Sequence, residues 1–130
     1  MEVKTDIENI AHIKVLVDTF YNNVQQDKLL GPIFIGAIKD WPHHLEKMYR
    51  FWQTVLLDQH TYSGSPFPPH AHMPINETHF NRWIQIFHQT VETLYQGKIA
   101  DEAKWRSEKM ATMFQHKIAF YRGTSMDPLH

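Results

Sequence analysis

Apolar positions recur every three to four residues through most of the chain. Ile7, Ile10, Val17, Phe20, Tyr21 and Val24 trace one stripe, which predicts a helix opened by a capping box in Thr5-Asp6-Ile7-Glu8 and ending near Asp27. Leu30-Gly31-Pro32-Ile33-Phe34 follows. Its Gly-Pro pair breaks the helix while apolar residues continue, so the segment is expected to be a connector folded back onto the core. Asp40-Trp41-Pro42 supplies a cap and a first-turn proline for a second helix, on which His44, Met48, Phe51, Trp52, Val55 and Leu56 share one face. From Thr61 to Pro74 the prolines and Gly64 are too dense for a long helix or a central strand. Asn76 then caps a third predicted helix with Phe80, Trp83, Ile84, Phe87, Val91 and Leu94 in register, ending near Gly97. A fourth, from about Ile99 to Tyr121, carries Ala103, Arg106, Met110, Met113, Phe114 and Ile118, with Gly123 as its stop and a polar tail over 123–130.

The pattern predicts an all-α domain over 1–122 with four main helices, compatible with a bundle or with a globin-like arrangement of crossed helices. Periodicity does not choose between the two. Charge and composition narrow the function. Thirteen basic against fourteen acidic residues leave a net charge of −1, so no field favours nucleic acid or an anionic membrane. With no cysteine there is no disulfide framework, thiolate nucleophile or thiolate metal site. The N-terminal segment lacks the basic flank and apolar run of a signal peptide, and no apolar stretch reaches the length of a membrane span. The expectation is a soluble, cytoplasmic protein.

Two excesses need a reason: aromatic residues make up 13% of the chain, and there are ten histidines. Zinc requires three or four ligands at motif spacing, and the chain has neither H-E-x-x-H nor a cysteine; Glu-x-x-His pairs of the di-iron type are absent too. Haem asks for something else: one axial histidine, a slot with apolar and aromatic walls, and a few polar groups on the open face of the iron. His70 or His72, in the proline-rich loop, can supply the axial nitrogen; spacing alone does not separate them. His44 lies on the otherwise apolar face of the second helix and Tyr21 on the inward stripe of the first, where either can face a bound gas molecule. The bland reading stands beside this one: a haem-free helical binding module whose tyrosine and tryptophans are core residues and whose histidines are incidental.

Taken in order, Phe20-Tyr21, Leu30-Gly31-Pro32-Ile33-Phe34, His44 with Phe51-Trp52, His70-Ala71-His72-Met73-Pro74-Ile75 and His79-Phe80-Asn81-Arg82-Trp83 resemble a group III truncated haemoglobin, over about residues 7 to 122. The resemblance implies a shortened globin fold, two crossed antiparallel helix pairs around haem b, with His70 as the proximal iron ligand. It further implies that Tyr21, His44 and Trp83 surround the bound ligand, that Phe34 packs on the haem plane and that Met48 lies one turn beyond His44. No Gly-Gly pair occurs, which fits this subgroup. The implied ligands are O₂, NO and CO. NO oxidation and peroxidase-like turnover are the implied chemistries, and both require an external electron donor because no reductase or flavin motif is present.

Overall fold

The side chain of Asn9, rather than Thr5, opens the first helix. In the computed structural model, which describes residues 3–62 and 74–126 with side chains through residue 120, α1 spans Ile10–Gln26 and the Asn9 carboxamide accepts the His12 N–H at 3.0 Å. Thr5 to Glu8 are non-helical, because Asp6 is engaged at the start of the last helix. Its carboxylate accepts the N–H groups of Ile99 and Ala100, at 2.9 and 2.8 Å, as well as that of Ile7. It thereby caps the last helix instead of the first. Gly97 permits this: at its φ of +144° a Cβ would stand 2.5 Å from the Asp6 carboxyl carbon.

The predicted connector contains a helix of its own. α2, Gly31–Ala37, starts at the Gly-Pro pair, since proline in a first turn forgoes only an N–H with no helical partner. A Cβ on Gly31 would lie 2.5 Å from the Gln25 carbonyl oxygen, so glycine lets α2 sit directly on the end of α1. α3, Trp41–Leu57, has the expected Asp40 cap and Pro42 in its first turn. α4, Glu77–Leu94, begins at Asn76 as expected and ends before Gly97. α5, Lys98–Met126, runs through Gly123 rather than stopping there; one glycine in a helix costs about 1 kcal/mol, too little to end a long one. On α5 the buried positions are Ala100, Ala103, Ser107, Ala111, Phe114 and Ile118. Arg106 and Met113, expected on that stripe, face outward.

The described residues are helix and connecting coil throughout, an all-α architecture. α1 is the central axis, touching α2, α3 and α4, while α5 lies against α4 and α3. Ile13, Leu16, Val17 and Val24 of α1 and Val91 of α4 are sealed almost completely, which accounts for the strict periodicity of those segments. No described helix is long and apolar enough to cross a membrane. His70, His72 and most of the proline-rich loop, residues 63–73, lie outside the described residues.

Candidate functional site

The inner faces of the five described helices leave a cavity between them. α1 contributes Phe20 and Tyr21; Leu30 and, from α2, Phe34 close one side. α3 contributes Met48, Phe51 and Trp52; Ile75 and the start of α4 add His79, Phe80 and Trp83; α5 adds Met110, Ala111 and Phe114. The wall is mostly apolar, with Tyr21, His79, Trp52 and Trp83 as the lining residues that carry an O–H or a ring N–H.

Tyr21 is 7% exposed and held by rings on several sides. Phe20 and His44 meet it edge-on with centroids 5.0 Å away, Trp41 does so at 5.9 Å, and Phe34 lies tilted at 6.3 Å. Burial pushes its phenol well above the ordinary value, so it is a persistent O–H donor. Burial alone causes that shift, with no charged neighbour contributing to it. Trp83 is fixed differently. Its ring stacks on Phe87 at 5.6 Å and 9°, Phe87 stacks on Trp52 at 5.1 Å, and Phe20 sits edge-on to both Trp83 and Phe87. Ring contacts across α1, α3 and α4 thus set where the indole N–H points.

Of the residues expected from sequence, Tyr21, Phe34, Met48 and Trp83 come together on the wall. His44 is half-buried, outside the wall, with its ring against Tyr21 and Trp41. His70, the expected axial ligand, lies outside the described residues. Phe51, Trp52, Phe80 and Phe114 also line the cavity, without a site role expected from sequence. Their helical spacing marks them as inward-facing but does not distinguish core from cavity wall. His79 has a place in a motif and no role that its sequence position reveals.

Next to Trp83, Arg82 reaches across to the end of α1, where its Nε and Nη2 both donate to the same oxygen of Asp27 at 2.7 Å. Asp27 also accepts the Leu29 and Leu30 N–H groups that turn the chain into α2. Burial works to raise this carboxyl, but the bonds from Arg82, Leu30 and Leu29 outweigh it and leave the group below the usual range. A carboxylate depressed in this way stabilises the fold above its unfolded pKa of about 3.9, and the contribution is lost as pH falls through the lower folded value. Asp27→Asn is expected to cost about 1 kcal/mol at neutral pH, a modest figure because Arg82 is partly exposed. The gap should close below about pH 4 in urea unfolding; a gap that stays constant down to about pH 2.5, well below the ordinary carboxylate range, would show that the charge contributes nothing.

The residues present fit a large, flat, mostly apolar group. Aromatic rings line the walls, and the phenol of the buried Tyr21 stands among them. Comparison with known proteins gives one consistent result. Residues 6–120 match the family model described as bacterial-like globin. The chain is 30% identical over 126 residues to the group 3 truncated hemoglobin ctb of Campylobacter jejuni subsp. jejuni, an alignment covering 93% of this chain and 99% of that one. It also superposes on the crystal structure of group III truncated hemoglobin from Campylobacter jejuni with a TM-score of 0.80, covering 89% of this chain and 95% of that one at 30% identity.

Proposed function

The chain belongs to the bacterial-like globin family, as a group III truncated haemoglobin, and on that premise we propose that it holds haem b in this cavity and binds O₂, NO and CO there. The observation that carries the proposal is the phenol of Tyr21, kept protonated by burial on the aromatic wall of the cavity. Haem supplies an iron that binds a diatomic ligand and exchanges electrons with it. Phe34, Met48 and Trp83 would form part of the slot, and by the family resemblance His70 would ligate the iron. Tyr21 donates to a ligand in the cavity, and the Trp83 indole N–H is the second donor. His44 steadies the Tyr21 ring from outside the wall. With two donors beside it, bound oxygen is held rather than exchanged quickly. Oxidation of NO to nitrate, or related haem redox chemistry, therefore suits the site better than transport, and an external reductant supplies the electrons for turnover.

The test is a visible absorption titration with haem of wild type and His70→Ala, in ferric, ferrous and ferrous-CO states. Stoichiometric uptake by wild type with a strong ferrous-CO band, altered or lost in His70→Ala, is the expected result. Spectra unchanged by the substitution would move the axial ligand to His72 or elsewhere, and absence of specific uptake by folded wild type would overturn the haem reading.

A further inference from the structure

His79 is a polar side chain on an apolar wall, and its two ring nitrogens are in different situations. It stands at the third position of α4, one turn before Trp83, half-buried and lining the cavity. The backbone N–H of Asn76 lies 3.1 Å from His79 Nδ1. An amide N–H only donates, so Nδ1 must accept, and in the neutral ring the proton then resides on Nε2. Nδ1 is also 3.1 Å from the Asn76 side-chain oxygen, but that oxygen already accepts the Thr78 N–H at 3.0 Å, and protonating Nδ1 would forfeit the bond from the Asn76 amide.

Two consequences follow from a proton fixed on Nε2. An iron ligand must offer a bare nitrogen, so His79 in this capping arrangement is not an axial ligand. What it offers is an N–H donor on the cavity wall. The group that needs such a donor is anionic: a porphyrin is apolar over most of its area but carries carboxylates on one edge, and a carboxylate in an apolar cavity is costly unless hydrogen-bonded. Tyr21 and Trp83, also on the wall, have the bound ligand to serve. A half-buried imidazole, reached by both solvent and cavity, is where a charged edge can be paired and still partly hydrated.

We propose that His79, its tautomer set by the Asn76 amide, donates from Nε2 to a carboxylate of the bound haem, so that the cap of α4 also orients a cofactor-retaining residue. The inference rests on the haem reading and deepens it.

The test measures haem loss to an excess of an acceptor apoglobin, for wild type, His79→Phe and His79→Glu, each loaded with native haem or with its dimethyl ester, which lacks the anionic edge. Glutamate at the third helical position preserves the capping box, so His79→Glu keeps the helix start and sets a negative charge where the imidazole offered a neutral N–H donor. Thermal unfolding of the apoproteins checks that the start is intact. His79→Phe is expected to speed loss of native haem about tenfold, equivalent to about 1.4 kcal/mol, and loss of the ester by less than about twofold. His79→Glu should release native haem faster still, with an apoprotein melting like wild type. Equal acceleration of haem and ester, or native haem retained by His79→Glu as by wild type, would overturn the inference and leave the haem reading standing. Failure of folded wild type to take up haem or ester would overturn both.

Discussion

Tyr21→Phe is expected to release oxygen from the ferrous protein about ten- to a hundredfold faster than wild type. The substitution removes one oxygen atom and leaves the ring, so the edge-on contacts with Phe20, Trp41 and His44 persist and the cavity keeps its shape. What disappears is a donor to a ligand that carries partial negative charge when bound, and such a bond is worth about 1.5–3 kcal/mol, or roughly one to two powers of ten in rate. Carbon monoxide accepts less charge, so its release should change much less, which separates a lost hydrogen bond from a general loosening. Because burial keeps the phenol protonated, the wild-type rate should also be flat from neutral to mildly alkaline pH. Stopped-flow displacement of oxygen decides the matter. A rate unchanged by the substitution would remove Tyr21 from ligand binding and shift that role to Trp83.

The larger effect on folding should come from Phe87→Ala. Phe87 is 1% exposed and is the middle ring of the Trp52–Phe87–Trp83 stack, with Phe20 against its edge. Truncating a buried phenylalanine costs about 3–5 kcal/mol, against a total of about 5–15 kcal/mol for an ordinary domain. Much of the stability is therefore at stake, with both neighbouring indoles free to tilt into the space. Urea unfolding of the apoprotein measures the loss; a cost below about 1 kcal/mol would mean that the core collapses around the gap. Phe87→Leu separates volume from ring stacking. It should recover most of the stability while leaving Trp83 without its flat partner, and tryptophan fluorescence should then differ from wild type even though the protein is folded.

Legibility in the sequence follows the range over which each interaction acts. α3 and α4 can be read because their start signals are local: Asp40 bonds the His43 N–H, and Asn76 bonds the Thr78 N–H. The start of α1 reads too early because Asp6 has its partners at Ile99 and Ala100, a pairing that leaves no mark on neighbouring residues. α2 reads as coil because its seven residues are too few for a periodic stripe; the close approach of Gly31 to α1 sustains it. The extension of α5 beyond Gly123 shows a weak local preference overruled by a long established helix. Within the site, Tyr21 and Trp83 can be chosen from their places on inward stripes together with the family resemblance, and both line the cavity. The same stripes carry Trp52, Phe80 and Phe114, yet a void can be told from a core only when all the helices are in place. His79 is opaque for a chemical reason: its meaning depends on which ring nitrogen the backbone occupies, and that is a matter of three-dimensional geometry.

The contact of Asp6 with the first turn of α5 joins positions more than ninety residues apart, with nearly the whole fold strung between them. It is therefore a closing latch, one that cannot form until the intervening helices have assembled, and its strength is a property of the native state alone. In kinetic terms it belongs to the barrier against opening rather than to the nucleus that starts folding. Fraying of the N-terminal segment and release of the α5 start are then one event.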